Sequence, residues 1–219
     1  MIGIIFFGGM DMRYSKEHKA ETHARIVKKA SVRLRERGAH GIGVADLMKE
    51  AGLTHGGFYA HFDSREALVV EAFDYAMDRS MARRRQQIAD LAPEARLPHL
   101  VDTYLSPQHR DNPGHGCAMP ALGAEIARES PKTRRAFAAK LDAMIEMMAE
   151  QFPGDPAAAR KQAIATLATM MGGILMARIA GSGEASDEFL KVGRDTVLER
   201  AAAQPAAKRA VAKKAVKKA

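Results

Sequence analysis

The stretch EAGLTHGGFYAHFDSREAL, Glu50 to Leu68, decides the fold, because three glycines and a run of aromatic residues interrupt an otherwise helical sequence. A short helix is expected from about Val44 to Ala51 and ends at Gly52, the first of these glycines. A second helix is expected to begin near Thr54. Two short helices joined by a turn at a glycine are the arrangement of a helix-turn-helix unit.

The second short helix has little intrinsic stability. Gly56 and Gly57 each cost about 1 kcal/mol relative to alanine inside a helix. Phe58 and Phe62 are four residues apart and are expected to anchor this helix by packing, which leaves Tyr59 and His61 facing outward or toward the backbone. Small residues at its N-terminus would let the backbone approach the phosphates and base edges of a major groove.

A simpler interpretation is that the paired glycines mark a loop and that the aromatic residues are only core. Taken alone, the stretch leaves the two interpretations equally open. The short helix before it, the basic first helix and a capping-box-like helix start at Asp63 favour DNA binding.

Composition indicates one or two helical domains. The chain has 219 residues, of which 47% are hydrophobic but only 5% aromatic, and it lacks the alternating pattern of strands. The single cysteine excludes an intrachain disulfide and is typical of a reducing cytoplasm. We therefore expect an all-α, cytoplasmic protein.

The net charge of +8 is concentrated at the two ends of the chain. The first 62 residues have ten basic and six acidic side chains, and residues 201–219 have six basic and none acidic. Residues 63–200 are close to neutral. A basic N-terminal region indicates an anionic partner, of which nucleic acid is the first candidate.

Two apolar segments resemble membrane structure only superficially. IGIIFFGG near the start has no basic flank and is too short for a signal peptide. The uncharged run from Ala163 to Ala177 is shorter than the roughly 20 residues of a bilayer span, so we expect a buried helix and no membrane partner.

The segment GVADLMKEAGLTHGGFYAHFDSREAL resembles the DNA-binding signature of the TetR-type bacterial repressors, with dense similarity over about Arg25 to Glu71. The resemblance implies an N-terminal three-helix helix-turn-helix DNA-binding domain and a larger helical ligand-binding and dimerisation domain. We assign residues 1–14 to a disordered extension, 15–62 to the DNA-binding domain, 63–203 to the effector-binding and dimerisation domain, and 204–219 to a basic, Lys/Ala-rich tail.

The same resemblance implies which residues meet double-stranded operator DNA. The front of the recognition helix would touch bases, a tyrosine would meet a phosphate, a histidine would bind backbone or cap the helix, and the next helix start would favour phosphate. In order, these residues are Thr54, His55, Gly56, Gly57, Tyr59, His61 and Arg65. Gly43 departs from the family pattern, which commonly has Thr or Ser there, so a cap and a phosphate contact are expected to be missing.

In the second domain, apolar stripes on helices Pro131–Gln151 and Pro156–Ala180 are implied to form a four-helix homodimer interface. Gly172-Gly173 would weaken the second helix unless another backbone comes close. Six of the 13 methionines lie between Met144 and Met176, which suits either an adaptable apolar effector pocket or a soft core. The candidate effector-binding residues are Phe73, Met77, Tyr104, Cys117, Met119 and Met147.

Cys117, the only thiol, follows the loop DNPGHG and opens a helix. Helix N-terminal amides favour a thiolate, and some TetR-type regulators sense oxidants through a cysteine in this place, whereas a free cysteine is more often a buried small hydrophobe. His109, His115 and Cys117 match no common zinc spacing, so we expect no metal and no cofactor.

The sequence therefore predicts a transcriptional regulator, most simply a homodimeric repressor that a small-molecule effector or a thiol-reactive compound releases from DNA. One alternative is a nucleoid-type structural DNA-binding protein that uses the basic tail, whose bases are expected to add sequence-independent affinity. A thiol enzyme based on Cys117 is a third possibility, but nothing else supports a nucleophile site.

Overall fold

The structure, a computed structural model, describes residues 10–41 and 43–203. These residues form nine α-helices and two short 3-10 helices and contain no strand, which confirms the all-α prediction. The α-helices are α1 (Met10–Arg37), α2 (Val44–Glu50), α3 (Arg65–Ile88), α4 (Pro93–Tyr104), α5 (Pro107–Asp111), α6 (Ala118–Ile126), α7 (Pro131–Ala149), α8 (Pro156–Ala180) and α9 (Glu184–Ala202); the 3-10 helices are His55–Ala60 and Pro113–His115.

The two ends of the chain bear on two expectations. Helix α1 begins at Met10. Residues 10–14 are therefore helical, whereas they were expected to belong to a disordered extension. The sequence MDMRY contains neither glycine nor proline and can continue the helix backwards. The rest of the expected extension, residues 1–9, and the basic tail, residues 204–219, lie outside the described residues.

Side-chain caps define the starts of the long helices. Ser64 accepts a hydrogen bond from the amide of Ala67 at the start of α3, one residue later than expected. Ser130 and Asp155 cap α7 and α8, each with proline at the first helical position as predicted. These boundaries could be read from sequence because the capping chemistry is local.

Helix α3 joins the N-terminal helices to the rest of the protein. It packs on α1 and on α7, and its buried stripe includes Phe73 and Met77. The ring of Phe73 lies 3.8 Å, centroid to centroid, from that of Phe137 on α7. Because the helix is continuous for 24 residues, one element carries the N-terminal region and the wall of the cavity described below.

Helices α8 and α9 cross closely at two glycines. A side chain added at Gly173 would meet the backbone oxygen of Phe189 at 3.4 Å and a methyl group of Leu105 at 3.1 Å, and Gly193 faces it across the crossing. The expectation that another backbone approaches this part of α8 is confirmed for Gly173. Nothing lies within 4 Å of the corresponding position at Gly172.

Most of the exposed large apolar side chains of the second domain are on α8 and α9, whereas the stripes expected to form the dimer interface were on α7 and α8. Phe137, Met144 and Met148 of α7 are buried inside the protomer. The apolar stripe that they form is therefore covered by other parts of the same chain. Helix α8 exposes Ile164, Leu175, Met176 and Ile179, and α9 exposes Phe189 and Val192; Leu141 is the one large apolar side chain that α7 exposes among the described residues.

Helix α8 is long and apolar enough, by length and composition alone, to cross a membrane. Its inner face includes Ala163, Leu167, Met170 and Ile174, which are buried in the protein core. The helix packs against both α7 and α9. It is thus a core helix with one exposed apolar face.

Candidate DNA-binding segment and effector cavity

The helix-turn-helix expected from sequence is formed by α2 and the His55–Ala60 3-10 helix. Gly52, with a φ of 74°, makes the turn in a left-handed conformation that favours glycine, and the amide of Leu53 donates to the carbonyl of Met48. The second helix is only six residues long and is a 3-10 helix. Its two adjacent glycines have low helix propensity and explain why it does not extend as an α-helix.

Two phenylalanines hold this short helix in place, as predicted. Phe58 is 1% exposed and Phe62 is 3% exposed, and their rings stack with centroids 5.4 Å apart. The ring of His23, on α1, stacks on Phe62 at 4.5 Å, and its Nε2 atom lies 2.5 Å from a carboxylate oxygen of Glu71 on α3. The 3-10 helix is therefore held from inside by the stacked rings of Phe58, Phe62 and His23, and it packs against α2.

The opposite side of the 3-10 helix is open to solvent. Thr54, His55, Gly56 and Tyr59 are exposed and Gly57 is half-buried. Tyr59 is 70% exposed, the largest exposed aromatic surface in the described residues. The two glycines have no side chains and leave room for another backbone to approach, and the exposed tyrosine lies beside them.

The other two expected DNA contacts are directed partly inward. His61 is half-buried, and its Nδ1 atom has no hydrogen-bond partner among the described residues. Burial is the main cause that lowers the pKa of His61, and the nearby His23 and Lys19 lower it further. The guanidinium of Arg65 donates to the carbonyl of Ala39, in the loop that follows α1. Arg65 thus joins the start of α3 to the loop before α2.

Gly43 is the N-cap of α2 and provides no side-chain hydrogen bond, as expected from its departure from the family pattern. Its φ of −72° and ψ of 149° are ordinary for a capping serine or threonine. The cap is missing because glycine has no side chain, whereas the backbone at this position would suit a capping residue.

A cavity of about 410 Å³ lies between α3, α4 and the loop that leads into α6. Its wall is mostly polar and includes two arginines of α3. The lining residues are Arg83, Arg84, Gln87, Asp102, Thr103, Tyr104, Ser106, Gln108, His109, Asn112, His115 and Gly116.

Of the six residues expected to bind an effector, only Tyr104 lines this cavity. Phe73, Met77 and Met147 are at most 1% exposed and pack in the closed apolar core, where Phe and Met side chains leave little free volume. Met119 is half-buried against the same core. The cavity wall is thus polar and cationic, and it contains none of the methionines that suited either an apolar pocket or a soft core.

Arg84 could have been found from sequence. Phe73, Met77, Ser80, Arg84 and Ile88 follow one another at helical spacing on one side of α3, and all five are buried. An arginine at a core position of an apolar stripe is the signal, because buried charges are rare unless they have a partner. The run Arg83-Arg84-Arg85 concealed it, since a charged run usually indicates a solvated surface.

Cys117 lies directly behind the cavity and is completely buried. It is the N-cap residue of α6, and its amide donates to Nε2 of His109 at 3.0 Å. The other ring nitrogen of His109, Nδ1, is 2.7 Å from the carbonyl oxygen of Tyr104. Because Nε2 accepts, Nδ1 carries the proton and His109 is neutral, with neither nitrogen free to bind a metal.

The Tyr104 hydroxyl is buried without a hydrogen-bond partner among the described residues. Burial, and after it the Cys117 thiol, raises the pKa of Tyr104 well above its ordinary value. The guanidinium of Arg84 lies over the Tyr104 ring, 5.0 Å from its centroid. Cysteine, tyrosine and arginine therefore meet at one end of the cavity.

We expect stability to fall as pH decreases from about 6.5 to about 4. Burial, with Arg178, Arg84 and Arg83 nearby, lowers the pKa of His109 to about 4. In this window the unfolded chain binds a proton that the folded chain does not, so the loss is about 1.4 kcal/mol per pH unit and about 3 kcal/mol in all. Urea unfolding at pH 7 and pH 5 measures the loss, which His109→Gln should reduce.

The exposed His115 provides the matched control, since its Nδ1 atom contacts only the Asn112 side chain at 2.9 Å. His115→Gln should retain the full pH dependence of the wild type. An equal pH dependence in wild type and His109→Gln would contradict the assignment of a neutral, buried His109.

The helix-turn-helix region matches a known family. The family model of the bacterial regulatory proteins of the tetR family matches residues 26–72, from α1 through the 3-10 helix into α3. An HTH-type transcriptional regulator of Mycobacterium tuberculosis is 30% identical over 164 residues, which are 71% of this chain and 83% of the relative. Fold and similarity define a helix-turn-helix, DNA-binding transcriptional regulator. The chain belongs to the TetR family.

Solved structures of similar fold extend over most of the described region. Escherichia coli NemR in its reduced form has 23% identity and a TM-score of 0.66, covering 80% of this chain and 96% of that chain. A regulator of Saccharomonospora viridis in complex with choline has 20% identity and a TM-score of 0.66, covering 81% and 96%. A TetR-family regulator of Cytophaga hutchinsonii has 19% identity and a TM-score of 0.71, covering 83% and 96%. These similarities show that the second domain has the same helical fold.

Proposed function

We propose that the protein is a cytoplasmic, homodimeric transcriptional repressor that leaves its operator when a small molecule occupies the cavity beside Cys117. The observation that carries this proposal is the 3-10 helix, with Phe58 and Phe62 anchored inside and Thr54, His55 and Tyr59 exposed. Membership of a family of transcriptional regulators supports a binding protein and not an enzyme.

DNA binding by this segment rests on its shape and exposure. Gly56 and Gly57 place no side chain between the backbone and a groove, and Tyr59 extends from the same face. His55 is at the first position of the 3-10 helix, where family members touch bases. His61 and Arg65 are proposed as supports that hold this face, with Arg65 bound to Ala39.

Substitutions of Tyr59 and His55 are expected to have different effects on DNA binding. Tyr59→Phe removes a proposed phosphate contact and should weaken binding about tenfold on every sequence. His55→Ala should change which bases are preferred at one position in each half-site. Binding to a library of operator variants measures both; a sequence-dependent effect of Tyr59→Phe would contradict its assignment to a phosphate.

The proposed dimer uses the exposed apolar face of α8 and α9. Ile164, Leu175, Met176 and Ile179 are exposed on α8, and Phe189 and Val192 are the large exposed apolar residues that the described part of α9 contains. Because a two-fold dimer presents two recognition segments, we expect a palindromic operator with half-sites about one helical turn apart or slightly more.

Selection of bound sequences from random DNA, followed by footprinting, tests this function. A palindromic site with a footprint of fixed length is expected. Length-independent coating of DNA would instead support the nucleoid-type alternative, and tight binding to a single asymmetric half-site would contradict the dimeric repressor.

Release by a thiol-reactive compound is a second form of the same proposal, and the burial of Cys117 disfavours it. Reaction requires an accessible thiolate, whereas Cys117 is 0% exposed. We expect Cys117 in the folded protein to stay unmodified by a quinone at neutral pH, and Cys117→Ser to keep operator binding. Rapid modification accompanied by operator release, absent in Cys117→Ser, would instead assign sensing to this residue.

A further inference from the structure

Arg84 is a buried cation that has no counter-ion among the residues the structure describes. It is 8% exposed, lines the cavity, and its guanidinium contacts the face of the Tyr104 ring. Within the described part of the chain it forms neither a hydrogen bond nor an ion pair, although a guanidinium carries five N–H donors. Burial of an unpaired charge is strongly unfavourable.

Another arginine of the same protein shows how such a charge is ordinarily satisfied. Arg110 is buried to the same extent, 8% exposed, and it binds Asp187 at 2.6 Å and Asp111 at 2.7 Å. Its remaining donor contact is the hydroxyl of Ser186. Arg84 has the same burial and none of these partners within the described residues.

The surroundings of Arg84 are cationic. Arg83 lines the same cavity, and Arg178 donates to the backbone oxygens of His109 and Arg110 behind its wall. The one carboxylate in the wall, Asp102, is bound by Arg194 of α9 at 2.6 Å. Since His109 is neutral, the wall has a net positive charge that protein groups do not balance.

We propose that this cavity binds a small polar organic anion whose carboxylate or phosphate group pairs with the guanidinium of Arg84. Planar guanidinium groups bind both kinds of group through two parallel hydrogen bonds. The volume of about 410 Å³ is at the small end for ligand sites. Gln87, Thr103, Ser106 and Gln108 in the wall favour a ligand whose remaining part carries hydroxyl or carbonyl groups.

The site has a direct structural connection to the DNA-binding half. Arg83 donates to the carbonyl of His115 at 3.2 Å. The next carbonyl, that of Gly116, accepts from Arg35 of α1 at 2.9 Å. An anion that draws the arginines of α3 into the cavity would act on the same short loop that α1 holds. This regulatory role rests on the proposed function, whereas anion binding itself does not.

Thermal unfolding of the full chain at constant ionic strength tests the site. The probes are inorganic phosphate and citrate, with sodium chloride as the reference salt. At least one probe is expected to raise the unfolding midpoint of the wild type in a saturable manner, and the probe that does so distinguishes phosphate from carboxylate ligands. Arg84→Met is expected to weaken this binding about tenfold or more.

Arg85→Met is the matched control, because Arg85 is exposed and forms only a loose ion pair with Glu150 at 3.8 Å. It should bind the probes as the wild type does. Without added anion, the unfolding midpoint of Arg84→Met should be at least as high as that of the wild type, since the substitution removes an unpaired buried charge. An equal anion effect in wild type and Arg84→Met, or no saturable effect of either probe, would overturn the proposal.

Operator binding is measured separately with the same probes. Saturable anion binding that depends on Arg84 but leaves the operator complex intact would retain the site and overturn effector release. A protein that binds no operator at all but still binds anions through Arg84 would overturn the proposed function and not this inference.

Discussion

Leu175→Glu is expected to convert the proposed dimer into a monomer and to lower operator affinity by about 100-fold or more. Leu175 is 44% exposed on α8, in the middle of the apolar face, where a two-fold interface would bring two added carboxylates together in a desolvated place. The loss on DNA is large because a dimer binds its second half-site at high effective concentration, an advantage that monomers do not have.

Sedimentation measures the change in oligomeric state, and operator titration measures the change in affinity. Leu141→Glu is the control, because Leu141 is the exposed large apolar residue of α7, at 37% exposure, outside the proposed interface. It should remain dimeric. A Leu175→Glu protein that sediments as a dimer would place the interface elsewhere.

Phe58→Ala is expected to reduce the free energy of unfolding by about 3–5 kcal/mol, the usual effect of truncating a fully buried phenylalanine. Phe58 is 1% exposed, stacks on Phe62, and belongs with Met48 to the buried hydrophobic core. Since natural domains are stable by only about 5–15 kcal/mol, DNA binding should be lost together with the fold of this segment.

A substitution of the neighbouring Tyr59 distinguishes the loss of core packing from the loss of a DNA contact. Tyr59→Ala removes an aromatic side chain of similar size from the exposed side, so stability should change by less than about 0.5 kcal/mol while DNA affinity falls. Urea unfolding and operator titration of both variants provide the comparison. A Phe58→Ala protein as stable as the wild type would show that the 3-10 helix does not depend on its anchors.

Local chemistry made much of the fold predictable. Ser130-Pro131 and Asp155-Pro156 mark helix starts by themselves, because a capping side chain and a proline act within one turn. Gly52 was equally informative, since its turn requires a conformation that few other residues adopt. These features need no knowledge of distant parts of the chain.

The cavity and the exposed face depended on distant contacts and were predicted poorly. Whether the apolar stripe of α7 or of α9 stays uncovered depends on which helices α3 and α8 pack against, and the periodicity of a single helix does not contain that information. The same holds for Arg84, whose lack of a partner becomes evident only when Tyr104 and His109 are brought beside it. The residues proposed for DNA contact rest on the family resemblance and on their exposure.

Because α3 is a single unbroken helix, a tilt at its cavity end displaces its other end. Arg84 lies 20 residues after the cap Ser64, a distance of about 30 Å at about 1.5 Å per residue. A tilt of about 5° at the cavity would therefore displace the Ser64 end by roughly 3 Å. In a two-fold dimer the displacement occurs twice, so the spacing between recognition segments would change by about half the 12 Å width of a major groove. A ligand of metabolite size could thereby move both segments out of register with the operator without unfolding either one.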